Sequence, residues 1–164
     1  MAATPTSAIE FDVTVEGLDE LEDLFVKLRA RLAAPFKDVG LARRLRKKYT
    51  DRVKEAYRTQ GSIYGGWAQL SPTYAAWKSQ HFPGRPLLVL TGQMERETTR
   101  PSESKFVYKR TDTKITLGSS NKLAARHQAG ARKTNLPARP LFILDGRFSA
   151  SIVKETSEQI FRGI

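Results

Sequence analysis

The chain offers few side chains that could do chemistry. His81 and His127 are its two imidazoles, and it contains no cysteine. Disulfides, thiolate metal sites and cysteine nucleophiles are therefore excluded. Two isolated histidines without a His-Glu-x-x-His pattern make a poor zinc set. The glycine-rich stretch Gly61-Ser62-Ile63-Tyr64-Gly65-Gly66 lacks the Gly-Lys-Ser/Thr that would hold phosphate and magnesium. No Gly-x-Ser-x-Gly elbow occurs. Carboxylates gather only near the first helical segment, where they read as a solvated face. These patterns predict a protein that is not an enzyme and needs no cofactor. His127 lies in Ala124-Ala125-Arg126-His127-Gln128-Ala129-Gly130. It could be a general base or an interface switch. The preferred reading is a partly buried histidine that holds a turn. His81, between a helix end and a proline loop, is expected in solvent.

Charge is the more telling chemistry. Lys plus Arg is 28 and Asp plus Glu is 17, a formal +11. Residues 1–38 hold four basic and eight acidic side chains, and all remaining basic groups follow. An acidic arm before a basic body can attract the body of a neighbouring copy, and a basic body can also lie near nucleic acid. Arg43, Arg44, Lys47 and Lys48 are the candidates for such a contact, whether interface or DNA-facing. The stretch Gly66 to Lys78 sets aromatics beside basic residues, so bases could stack on Trp67, Tyr74 and Trp77. Trp67, Leu70, Tyr74 and Trp77 nevertheless recur at steps of three, four and three, which predicts a structural core stripe.

The elements that position these groups follow from periodicity. An apolar fraction of 40% with 15 aromatics (8 Phe, 5 Tyr, 2 Trp) predicts a folded chain. Residues 1–8 read as a flexible tail, and residues 9–164 as a single domain. Ile9 to Val15 alternates apolar and polar, the signature of a half-buried strand. Leu18, Leu21, Leu24, Phe25, Leu28 and Leu32 mark an amphipathic helix, ended by Pro35. Its acidic start and basic finish suit the helix dipole.

A second helix is expected from an N-cap at Asp38 to about Thr59, with Ala42, Leu45, Tyr49, Val53, Ala56 and Tyr57 inward. Ser71-Pro72 predicts the start of a third, running to about Gln80. Leu87 to Leu90 is a short apolar run, and Thr91-Gly92 opens another segment. Lys105–Tyr108 and Lys114–Leu117 predict a β-hairpin. Leu123 to Gln128 reads as a short helix or irregular chain. Residues 130–140 read as a basic loop, Leu141 to Leu144 as a strand or extended lead-in, and Arg147 to Arg162 as a last helix. The class is α+β, with amphipathic helices packed on a small, mostly antiparallel sheet and an extended N-terminal arm. No apolar run approaches the ~18 residues that span a bilayer. Met-Ala-Ala-Thr-Pro is unlike a signal peptide, so no membrane partner and a cytoplasmic origin are expected.

Four blocks, in this order, resemble the phage virion morphogenesis family, which includes the tail completion proteins of Mu-like and related tailed phages. They are Gly66-Trp67-Ala68-Gln69-Leu70-Ser71-Pro72-Thr73-Tyr74, then Leu88-Val89-Leu90-Thr91-Gly92-Gln93-Met94. Next come Leu117-Gly118-Ser119 with Ala124 to Gly130, including His127, Gln128 and Gly130. The last is Leu136-Pro137-Ala138-Arg139-Pro140-Leu141-Phe142. Together they cover about residues 60–145. The family often has Tyr where this chain has Leu123, and Phe where it has Leu141.

The resemblance implies a non-enzymatic virion protein of the neck or the head-proximal end of the tail, assembled in the host cytoplasm. It would form a ring homo-oligomer, a hexamer or dodecamer, that contacts other neck and tail proteins and joins tail to DNA-filled head; a contact with DNA in the channel, without sequence preference, is also open to it. Read as residues, Pro137 and Pro140 hold an extended rod around Arg139, whose fork suits a neighbour's carboxylate. Gly92 and Gly130 are candidate bends. The alternative is a small basic DNA-binding protein, a regulator or packaging factor, using the helix of residues 41–58 on phosphate. A regulator should show a helix-turn-helix pair, whereas here a loop and an aromatic segment follow the basic helix.

Overall fold

A computed structural model describes residues 18–163. The expected tail of residues 1–8, the strand from Ile9 to Val15 and the extended arm lie outside the described residues.

The longest helix organises the rest. Helix α1 (Leu18–Ala33) ends before a 3₁₀ turn at Pro35–Lys37. Helix α2 (Val39–Arg58) follows, with Asp38 at its N-cap accepting from the Leu41 N–H. Ala42, Leu45, Tyr49, Val53, Ala56 and Tyr57 are buried, as the stripe predicts, and Leu41 beside them is buried too. At ~1.5 Å per residue the helix is about 30 Å long, enough to serve as the spine. Helix α3 (Pro72–His81) starts where Ser71-Pro72 predicts, with the Ser71 side chain accepting from Tyr74 N–H.

Helix α4 (Gln93–Thr99) begins after Gly92, whose φ of +77° is left-handed, and buries Met94 and Thr98. Strands β1 (Phe106–Arg110) and β2 (Ile115–Ser119) form the expected hairpin, antiparallel, with Tyr108 opposite Leu117. Helix α5 (Lys122–Ala129) is capped by Asn121, whose Oδ1 accepts from the Leu123 and Ala124 N–H groups. Helix α6 (Gly146–Ile160) is capped by Asp145, which accepts from Phe148 N–H.

The fold is α+β, six helices with a two-stranded antiparallel sheet among the described residues. Its core gathers Tyr49, Val53, Ala56 and Tyr57 of α2 against Trp67, Val89, Met94, Ala124 and Leu141.

One expectation is narrowed and one corrected. Of the strand or extended lead-in expected over Leu141 to Leu144, the strand does not form: among the described residues no strand pairs with it, and the Gln128 side chain takes the backbone N–H groups of Leu141 and Phe142. The aromatic segment is not a continuous core stripe. Trp67 is buried, but it precedes α3 and so does not share its helical phase. Leu70 is half-buried, and Tyr74 and Trp77 on α3 are 42% and 39% exposed. The side chain that α3 buries is Lys78.

Candidate functional site

The first, third and fourth of the four sequence blocks meet in space, and their polar side chains bind each other's backbone. After α2 the chain turns through Gln60 and Gly61, both at positive φ. A Cβ at Gly61 would overlap the Trp67 indole, so glycine is required there by both φ and contact. The indole packs edge-on to Tyr57, with ring centroids 5.6 Å apart. Its Nε1–H donates to the Pro140 carbonyl at 2.8 Å.

Arg139 answers in the opposite direction. Its Nε donates to Ala68 O at 2.6 Å and its Nη2 to Gln69 O at 2.9 Å, while its backbone N–H donates to His127 O at 2.6 Å. The side chain is 3% exposed. The expectation of a surface arginine for a neighbour's carboxylate is thus corrected. Pro137 and Pro140 do flank Arg139, but the fork points inward and clamps residues 68 and 69. Sequence could show that the backbone around Arg139 is stiff, but not which way its side chain faces.

Gln128 acts as a short piece of β-ladder. Its Oε1 accepts from the Leu141 and Phe142 N–H groups at 2.9 and 3.1 Å, and its Nε2 donates to Phe142 O at 2.7 Å. Gly130 has a φ of +74°, and a Cβ there would come within 3.0 Å of Ala138 N. Glycine therefore lets α5 end tightly against the 136–138 segment, which a bridge between Ala131 and Leu136 also holds.

His127 stands at the centre of this knot. Its Nδ1 is buried with no hydrogen-bond partner. Burial, then the Arg139 charge, pushes its pKa down from the usual imidazole value, so the ring is neutral near pH 7. The partly buried histidine was expected. Its bond to the chain, however, runs through its backbone carbonyl. His81 is exposed, as expected, with Nδ1 2.8 Å from Trp77 O.

Lys78 is 5% exposed, and its Nζ donates to Pro86 O at 2.5 Å and Leu87 O at 3.0 Å. Burial pushes its pKa down. Lys78, His127 and Arg139 border a cavity of about 460 Å³, walled by Leu70, Leu88 and Met94 among others. The cations at its edge are already committed to carbonyls. This arrangement holds chain segments together. Among the described residues no group of three His, Asp or Glu side chains is placed to hold a metal ion.

No family model, curated protein or solved structure matches the chain.

The basic helix is less bare than its sequence. Glu155 of α6 pairs with Arg44, and with Lys48 at 3.5 Å. Asp145 pairs with Arg52, Asp51 with Lys47 and Glu55 with Arg58. Burial raises the Glu155 pKa, but the bonds and charges of Arg44 and Lys48 outweigh it and leave the carboxyl below its usual range. Arg46 lies over the Tyr108 ring at 5.0 Å. Arg43 and Lys54 are exposed and unpaired among the described residues. Of the four candidate contact residues, Arg44 and Lys48 are therefore turned to α6, while Arg43 and Lys47 face solvent. Asp51 and Glu55 lie on α2 itself, but Glu155 and Asp145 come from the far end of the chain, so counting charges along one helix misses those two.

Another buried acid also escaped the sequence. Glu97 of α4 is 6% exposed and accepts from Gln93 at 2.9 Å and from Asn121. Those two amide donors hold its carboxyl below the usual range.

Proposed function

We propose that the protein is a structural component of a tailed-phage virion, a tail completion or neck protein that joins tail to DNA-filled head as a ring of copies, hexamer or dodecamer. The observation that carries the reading is the mutual binding of the sequence blocks. Trp67 to Pro140, Arg139 to residues 68 and 69, and Gln128 to residues 141 and 142 link three blocks that lie between residues 66 and 142. Residues that lock one another are what a shared fold signature requires.

Unspent surface supports a role in assembly. Large apolar side chains of α1 and α6, with Leu144 between elements, stand in solvent, as surfaces awaiting partners do. A closed ring needs two unlike surfaces on each copy. The acidic α1 start and the remaining exposed cations of the body supply opposite charge.

The decisive experiment is genetic. Cells infected with a phage lacking this protein should accumulate DNA-filled heads and tails of near-normal length that do not join. Electron microscopy of lysates reads the outcome. Normal infectious particles without the protein would refute the function.

A second reading, a small basic DNA-binding protein, is favoured by one observation. Tyr74, Trp77 and His81 form an exposed stack on α3, with centroids 5.4 and 4.9 Å apart, and aromatic faces can take bases. Binding to mixed-sequence DNA that weakens steeply with salt and is lost in Trp77→Ala would favour it.

A further inference from the structure

Among the described residues, helix α1 is covered along only one edge. Successive residues turn by about 100° around a helix. Leu24, Leu28 and Arg31 share the half-buried edge. Arg31 ties that edge to the body, its Nη1 donating to the carbonyls of Ile160 at 2.9 Å and Arg162 at 2.7 Å. On the adjoining edge Leu21, Phe25 and Leu32 are 45%, 62% and 56% exposed. The body thus uses less than half of the apolar stripe.

The apolar stripe as a whole has the spacing of a helix pair. Leu18, Leu21, Phe25, Leu28 and Leu32 alternate steps of three and four, the heptad pattern that keeps one seam facing a second helix. Two charges flank the open edge: Glu22 toward the helix start and Arg29 toward its end. If a second α1 ran antiparallel, centred on Phe25, then residues whose numbers sum to about 50 would lie level with one another. Glu22 would lie beside Arg29 of the second copy, and the reverse pair would form by symmetry. A parallel pair would set Arg29 against Leu24 and leave both charges without a partner. In the antiparallel pair the acidic first half, with Asp19, Glu20, Glu22 and Asp23, would lie along the half that carries Lys27, Arg29 and Arg31, and the helix dipoles would also oppose.

We infer that α1 is a self-association helix, pairing with α1 of a second copy as a short antiparallel coil. The occupant of the open edge is the same edge of another copy. Such a contact is isologous and closes after two copies, so it is separate from the unlike contacts of a ring. It holds whatever structure the protein joins. Two heptads bury little area, so the dimer depends on concentration.

The absence of cysteine allows a clean test in the full chain. Phe25→Cys should give a disulfide-linked dimer on mild oxidation, and Ala30→Cys, on the opposite side of the helix, should not. An equal mixture of Glu22→Cys and Arg29→Cys should cross-link, while Glu22→Cys alone should stay single, which distinguishes antiparallel from parallel. In sedimentation, Glu22→Arg should weaken dimerisation about tenfold, and Glu22→Arg with Arg29→Glu should restore it. A wild-type chain that stays monomeric at about 1 mM would overturn the inference, since the edge would then be covered by residues 1–17 or by another protein. So would a dimer insensitive to Glu22→Arg and to the cysteine positions. Phe25→Glu should abolish the α1 dimer and leave any ring intact; a dimer that survives Phe25→Glu would refute this contact and leave the ring reading standing.

Discussion

Replacing Arg139 with methionine keeps most of the side-chain stem and removes the fork that clamps residues 68 and 69. Two hydrogen bonds from a charged group are lost, each worth ~1.5–3 kcal/mol. Two effects offset part of that. The cation no longer has to be desolvated, a cost visible in its lowered pKa. Ala68 and Gln69 are exposed residues, so water can reach the freed carbonyls in part. We expect a net loss of about 2–3 kcal/mol. At ~2–4 °C per kcal/mol for a chain of this size, the melting temperature should fall by about 4–12 °C. Arg139→Lys should recover less than half, because one ammonium replaces a planar fork that spans two carbonyls. Urea unfolding followed by tryptophan fluorescence reads the change, since Trp67 sits in the same knot. A second readout is independent of stability: without the guanidinium charge, the His127 pKa should rise toward its usual value in an NMR titration. An unchanged unfolding midpoint together with an unmoved His127 titration would refute the clamp.

Trp67→Ala should cost about 3–5 kcal/mol in denaturant unfolding, from lost burial and a cavity, and Trp67→Phe should cost less but still lose the bond to Pro140. By contrast, Tyr74→Ala and Trp77→Ala, at exposed positions, should each change stability by less than about 1 kcal/mol; a larger loss would return them to the core. For His127 the folded pKa lies below the unfolded value of about 6.5. The unfolded chain therefore binds the proton first as pH falls. Stability should be full above pH ~6.5 and decline through the window down to the folded pKa. His127→Gln should flatten that decline in melting curves taken across the window. Glu155→Gln should weaken the α2–α6 contact by up to about 1 kcal/mol at low ionic strength, and by less in high salt.

Local chemistry announced most elements. Asp38, Ser71-Pro72 and the spacing of the α2 stripe located two helices to within a residue or two, because caps and burial periodicity act over a few residues. The hairpin was legible for the same reason. Helix α4 was not: its seven residues, Gln93–Thr99, are mostly polar, and three of the four buried ones are Glu97, Thr98 and Thr99. Such a segment becomes helical because α2 and α5 supply partners for its polar groups, through Tyr57 and Asn121. The buried Lys78 was hidden likewise, since a lysine within a helix reads as solvated until Pro86 and Leu87 are seen to receive its ammonium.

By itself the sequence determined which residues could form helices, where they start, that cysteine chemistry is excluded, and that acid precedes base along the chain. Those properties depend on neighbours within a turn or two, or on composition alone. Only the tertiary structure decided direction and partnership. It turned Arg139 from a surface fork into an internal clamp, set Tyr74 and Trp77 outward, and covered Arg44 and Lys48 with Glu155. Each of these outcomes depends on atoms 70 or more residues apart, or on which side of a helix the core happens to lie. A periodic pattern states that one face is apolar, and it takes the packed neighbour to decide how much of that face is used, as the half-covered stripe of α1 shows.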